Sequence, residues 1–134
     1  MFSPCQPLAL ELVGATDEAR DTSIDDAVAM WNRVGATLTR TADAPDTLPV
    51  HFEDAAGNFH GVYEDEVGAI YVNLDLIDPH ERAVTIAHEL GHAFGLVHFD
   101  RGDSVMRRAN IVVEPGTADG AALRELWGAC DPVP

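Results

Sequence analysis

The chain has 134 residues, 46% of them hydrophobic and 23% charged, enough for one domain with a real core and too few for two. Eight arginines and no lysine stand against 23 acidic residues, for a formal net charge of −15, which argues against nucleic acid and anionic membrane surfaces as partners. No apolar run reaches the roughly 18 residues that a spanning helix needs, and no repeat or low-complexity tract interrupts the chain.

Leu8 to Val13 is a short apolar-rich run ending at Gly14 and reads as a first strand. Thr16 to Arg20 is polar. Ser23, with Asp26 three residues on, resembles a capping box, and Ile24, Ala27, Val28, Trp31 and Val34 follow at helical spacing, so a helix is expected from Ile24 to Val34, closed by Gly35. Ala36 to Thr41 reads as a strand, Ala42 to Thr47 as a loop and Leu48 to Glu53 as an alternating strand. A turn at Ala55-Ala56-Gly57-Asn58 leads into Phe59 to Tyr63, an acidic loop Glu64-Asp65-Glu66, and a β-forming run from Gly68 to Leu74. Asp78-Pro79 supplies an N-cap and a first helical residue for a helix from about Pro79 to Phe94. A last helix starts near Thr117, with Asp119 in its first turn, and stops at Gly128. This order of elements is α+β.

The segment that carries chemistry is His88-Glu89-Leu90-Gly91-His92-Ala93-Phe94-Gly95-Leu96-Val97-His98. At about 100° per residue, residues four apart share a helix face, so His88 and His92 project together and can grip one ion. Ala83, Ile86, Ala87, Leu90 and Phe94 form an apolar stripe that supports the helix independently. Gly95 is placed to end the helix and turn the chain sharply, which lets His98 return as a third ligand. Three neutral imidazoles leave one tetrahedral position open, the arrangement of a catalytic rather than a structural zinc. Glu89 lies to the side of the pair, where it can act as general base on a metal-activated water and then as general acid to the leaving amine.

His-Glu-x-x-His-x-x-Gly-x-x-His resembles the metzincin signature. Met106, eight residues after His98 in Ser104-Val105-Met106, resembles that family's Met-containing turn at the spacing of the matrixin branch. The segment Thr117-Ala118-Asp119-Gly120 through Leu126-Trp127-Gly128 is similar to the matrixin closing helix. The resemblance implies one zinc endopeptidase domain over 1–134, its upper part (about 1–94) and lower part (about 95–134) flanking a zinc cleft. It also implies a mixed, mostly parallel twisted sheet with an antiparallel edge strand, and Met106 as a hydrophobic floor beneath the ligands. Extended substrate would pair with an edge strand just before the active-site helix, and the segment at 68–73 has that place in the sequence. Beyond the scissile bond a pocket would be walled by His88, Glu89 and the stretch Arg108 to Glu114, with Ile111, Val112 and Val113 giving it apolar character. Where several metzincins have a Tyr two residues after the Met, this chain has Arg108, so either Arg108 or Arg107 donates to the oxyanion, or no side chain does and the metal carries that charge alone.

His51, His60 and His80 read as surface or packing residues. Asp75, Asp78, Asp100 and Asp103 are carboxylates of the kind calcium selects, without spaced ligand loops. Cys5 and Cys130 lie at opposite ends of the chain. Either they form a bridge, because domain termini often lie close together, or Cys5 is a free thiolate that can occupy the open zinc position and hold the enzyme latent. A non-catalytic zinc-binding module is the alternative from another class. Met1-Phe2-Ser3-Pro4 lacks the charged start and apolar core of a secretory signal. Broadly cutting peptidases are usually kept out of the cytoplasm, so an extracytoplasmic, monomeric protein acting on peptides or proteins is the expectation.

Overall fold

The computed structural model describes residues 1–14, 17–55, 59–100 and 102–130. Thr16, at the head of the expected polar stretch, and Ala56-Gly57-Asn58 of the expected turn lie outside them. The described chain is α+β: strands β1 (Ala9–Gly14), β2 (Thr47–Glu53), β3 (Gly61–Glu64) and β4 (Ala69–Asn73) with helices α1 (Glu18–Asn32), α2 (Pro79–Ala93) and α3 (Thr117–Trp127). The sheet order is β1-β2-β4-β3. β1 and β2 pair in parallel, as do β2 and β4, while β3 runs antiparallel to β4. The sheet is therefore mixed, mostly parallel, with one antiparallel pair at an edge.

Alternation along β2 explains why the sheet has one dry face. Leu48, Val50 and Phe52 are buried while Thr47 and Glu53 are exposed, so one row of side chains enters the core and the other faces outward. α1 and α2 cover the inner face, joined where the buried Trp31 indole donates from Nε1 to the Ala87 carbonyl at 2.8 Å and where the Trp31 ring meets Phe94 edge-on at 5.5 Å. An indole in a core needs such an acceptor, because an unpaired buried N–H is costly.

Three expectations need correction. Helix α1 begins at Glu18, not near Ile24, because Asp17 caps it by accepting from the Arg20 amide at 2.7 Å. Ser23 is inside the helix, its hydroxyl donating back to the Ala19 carbonyl at 3.1 Å. Residues 36–41 form no ladder strand, only an isolated parallel bridge between Leu8 and Arg40. On one side the Thr37, Thr39 and Thr41 backbones bond to Pro4 and Leu8; on the other, Asn32 accepts from the Leu38 amide at 2.8 Å and donates to the Leu38 carbonyl at 3.0 Å, which closes that side to a further strand. Finally, the segment 68–73 is not an edge strand: β4 has β2 on one side and β3 on the other, so the edges of the sheet are β1 and β3, and β3 is the one that borders the histidine cleft.

The two ends of the chain meet. Cys5 and Cys130 form a disulfide across a sequence separation of 125 residues, and no cysteine is free. Of the two readings of Cys5, the bridge is the one realised, and the free thiolate directed at a metal is not.

Candidate metal centre

Helix α2 starts where Asp78 accepts from the Glu81 amide at 2.9 Å, with Pro79 in its first turn. Its second half is almost wholly buried, His88 and Glu89 included. His88 and His92, one helical turn apart, set their rings edge-to-face at 5.0 Å. After the C-cap Phe94 the chain reverses at Gly95, whose φ of 101° lies in the left-handed region that glycine enters freely. The Leu96 amide returns to the Gly91 carbonyl at 2.9 Å. This turn brings the His98 ring within 5.1 Å of His88 and 4.7 Å of His92.

The ring nitrogens are arranged for a cation. His88 Nδ1 lies 2.6 Å from the Val105 carbonyl and His92 Nδ1 lies 2.9 Å from the Leu96 carbonyl. A carbonyl only accepts, so each Nδ1 carries the proton and each neutral ring turns a bare Nε2 inward. Both Nε2 atoms face His98 Nε2, at 3.1 and 3.2 Å. His98 has at most one proton to offer there, so the cluster holds more inward lone pairs than protons. One metal ion would satisfy all three, and among the described residues this trio is the group of His, Cys, Asp or Glu close enough together to hold one. Protonation is resisted as well. Burial, reinforced by the other two histidines, lowers His88 to about 4. His98 is lowered by burial, then by His92 and Arg108.

The Glu89 carboxylate stands beside the trio, 4.0 Å from His88 Nε2. Burial pushes its pKa up to about 7 against a hydrogen bond from the Tyr63 backbone. A cleft of about 670 Å³ opens over the three histidines and Glu89, bordered by β3 and by Ala109 and Asn110.

Behind the three histidines lies the turn at Ser104-Val105-Met106. Met106 is fully buried, and a Cβ added to Gly91 would run into its sulfur and press on Trp31 Cζ2 at 3.2 Å. The Met106 side chain thus fills the space beneath α2 between the two helical histidines. Asp119, buried in the first turn of α3, accepts from Ser104 Oγ at 2.6 Å, the Val105 amide at 2.9 Å and the Gly116 amide at 2.9 Å. Three donors make a buried carboxylate acceptable, and they tie α3 to Val105, whose carbonyl orients His88. Asn110 completes the bracing, donating to the Val105 and Val113 carbonyls at 3.2 and 2.7 Å, next to Ala109 at a φ of 53°.

His88, Glu89, His92, His98 and Met106 are therefore brought together. Other candidates are not. Arg107 reaches the Gly102 carbonyl at 3.3 Å and Arg108 stands 4.0 Å from Asp100, its side chain 73% exposed, and neither borders the cleft. Nor do Ile111, Val112 and Val113, of which Val112 is exposed, so the apolar wall expected from them is not formed. Asp75, Asp78, Asp100 and Asp103 do not gather into a metal-binding group. His80 instead accompanies Arg33 in contacting Glu114, at 2.9 and 3.0 Å, which holds that carboxyl below its usual range. Sequence reasoning missed His60, Tyr63 and Asp65, which line the cleft, and the bracing roles of Asp119 and Asn110. An unusually polar Tyr-Glu-Asp-Glu end to a strand was the available signal for the first group. No family model matches the chain, and no curated protein matches it.

Proposed function

We propose that this chain is a zinc-dependent endopeptidase of the metzincin type, with His88, His92 and His98 as ligands, Glu89 as general base and acid, and Met106 as structural support. The observation that carries the reading is the convergence of three Nε2 atoms beside a buried carboxylate in an open cleft. Zinc bonds nitrogen at about 2.0–2.1 Å, so the edges of its tetrahedron are about 3.3–3.4 Å. The separations of 3.1 and 3.2 Å here are close to that. When bound, zinc supplies Lewis acidity, acidifying a water and polarising a carbonyl.

The chain's own groups do the rest. His88 and His92 are aimed by backbone carbonyls, so no reorganisation of their rings is needed on metal uptake. Glu89 takes the proton of the attacking water and returns it to the leaving nitrogen. Its raised pKa in the metal-free protein reflects a desolvated site, and next to a bound dication the carboxylate form is favoured. Extended substrate pairs its main chain with the free side of β3, which borders the cleft. The disulfide supports an extracytoplasmic setting, and among the described residues no helix is long and apolar enough to cross a membrane. We take the protein to act as a monomer on peptides or proteins.

The intact Glu89 favours this over a non-catalytic zinc module, which has no chemical use for that carboxylate. Glu89→Ala is the direct test: it should keep the metal and the fold and lose peptidase activity by several orders of magnitude. A variant that cleaves as fast as the parent would remove Glu89 from the mechanism.

A further inference from the structure

β3 separates two cavities. One is the metal cleft; the other, of about 400 Å³, lies across the strand and shares Phe59 and Val62 with it. The second cavity combines an apolar floor of Phe59, Val62, Val67 and Tyr71 with a rim of Glu53, Asp54, Glu64 and Glu66. Among the described residues no cationic side chain lines it, and its carboxylates do not converge as metal ligands would. A floor that packs methylenes and a rim that attracts positive charge match the two ends of an arginine or lysine side chain.

The strand geometry says how such a side chain would arrive. The Asn73 amide donates to the His60 carbonyl at 2.9 Å, so His60, Val62 and Glu64 direct their backbone groups at β4, and Gly61 and Tyr63 direct theirs at the opposite side, where the Tyr63 backbone also bonds Glu89. A Cβ on Gly61 would meet Thr85 Cγ2 at 2.8 Å and Glu89 Cγ at 3.6 Å. Gly61 and Tyr63 therefore present to α2, and Val62 and Glu64 to the outer face. In a peptide added to β3, side chains alternate in the same way. Those opposite Gly61 or Tyr63 turn toward the metal cleft, and the one opposite Val62 turns toward the acidic cavity.

We infer that the cavity outside β3 is a subsite for an arginine or lysine of an extended substrate, so that the protein selects peptides with a basic residue at one fixed position relative to the scissile bond. This rests on the peptidase reading for the meaning of the scissile bond but not for the binding itself. It differs from the bias that a net charge of −15 would impose, which would act at every position alike.

The test is a set of short neutral peptides in which arginine, norleucine or glutamate is moved through each position in turn. Cleavage by the zinc-loaded protein gives kcat/KM, and binding to the Glu89→Ala variant, by fluorescence anisotropy, gives Kd without turnover. The expected result is an arginine-over-norleucine preference of about fivefold or more at one position and little at its immediate neighbours. In the Glu64→Gln/Glu66→Gln variant that ratio should fall toward one, and in Glu64→Lys/Glu66→Lys the glutamate peptide should be favoured instead. Because each ratio is internal to one protein, a loss of folded material does not alter it. A preference spread over all positions, or one that both double variants retain, would overturn the inference. Cleavage without any basic preference would overturn it and leave the peptidase reading standing. Position-specific binding without cleavage would do the reverse, and the absence of both would remove both.

Discussion

Gly91 and Met106 occupy each other's space: the Met106 sulfur stands where a Cβ of residue 91 would be, with Trp31 closing the other side. The residue between the two helical histidines is thereby tied to a turn 15 positions later. Gly91→Ala should destabilise the protein by about 1–2 kcal/mol, overpacking in a full core outweighing the gain in helix propensity. Thermal unfolding should show the deficit, and Met106→Ala added to Gly91→Ala should cost less than the sum of the two single changes. Strict additivity would mean that the two side chains do not compete for this space.

Asp119 acts on the site at one remove. Its carboxylate fixes the Val105 amide, and the Val105 carbonyl fixes His88. Asp119→Asn keeps the size but cannot accept three donors at once, so it should lower stability by about 2–3 kcal/mol and weaken zinc about 10–100-fold. Competition against a chelator of known affinity measures the second effect. Undiminished zinc affinity in a folded variant would disconnect α3 from the ligands.

In the metal-free protein, pH acts on Glu89 and His88 in opposite directions. Glu89 is raised from 4.5 to about 7, so between those values the native state holds a proton that the unfolded chain releases. Its contribution to stability is complete below 4.5 and is lost as pH climbs through 7. His88 is lowered from 6.5 to about 4, so its contribution is complete above 6.5 and is lost as pH falls toward 4. Glu89→Gln removes only the first. Its stability advantage over the parent, with chelator present, should widen from pH 5 to pH 8 and reach the order of 3 kcal/mol. A constant difference across that range would place Glu89 in water.

The Cys5 to Cys130 bridge closes nearly the whole chain. Loop-closure entropy assigns such a bridge about 4–5 kcal/mol. Cys5→Ser/Cys130→Ser should therefore unfold at markedly lower temperature, with no gain in activity at temperatures where it remains folded. A rise in activity would revive Cys5 as a latency switch.

How much was legible in the sequence follows the range of the interactions. Asp78-Pro79, the apolar stripe of α2 and the four-residue spacing of His88 and His92 are local, and α2 matches the expected helix to within a residue. Gly95 declared the turn that returns His98 because only its backbone conformation was at issue. What failed was decided by partners remote in sequence or by competing side chains. Asn32 captured the backbone of Leu38 on one side of an expected strand, and on the other side only the bridge of Leu8 to Arg40 formed. Asp17 outcompeted Ser23 as a cap. The segment 68–73 has the composition of any strand of this sheet, and nothing in it says that β3 will pair outside it. Asp119 was visible as a first-turn acid but not as the acceptor for a turn that the fold brings to it.

In the proposed reaction a single zinc, with Glu89, hydrolyses peptide bonds. Metal content should be determined on the purified protein and paired with cleavage of a diverse peptide library with and without a chelator. One zinc per chain is expected, with cleavage that disappears with the chelator and returns when zinc is restored, and His88→Ala, His92→Ala and His98→Ala variants that lose both metal and cleavage. A fully zinc-loaded, folded protein that cuts nothing in the library, or cleavage that persists after the metal has been removed, would contradict it.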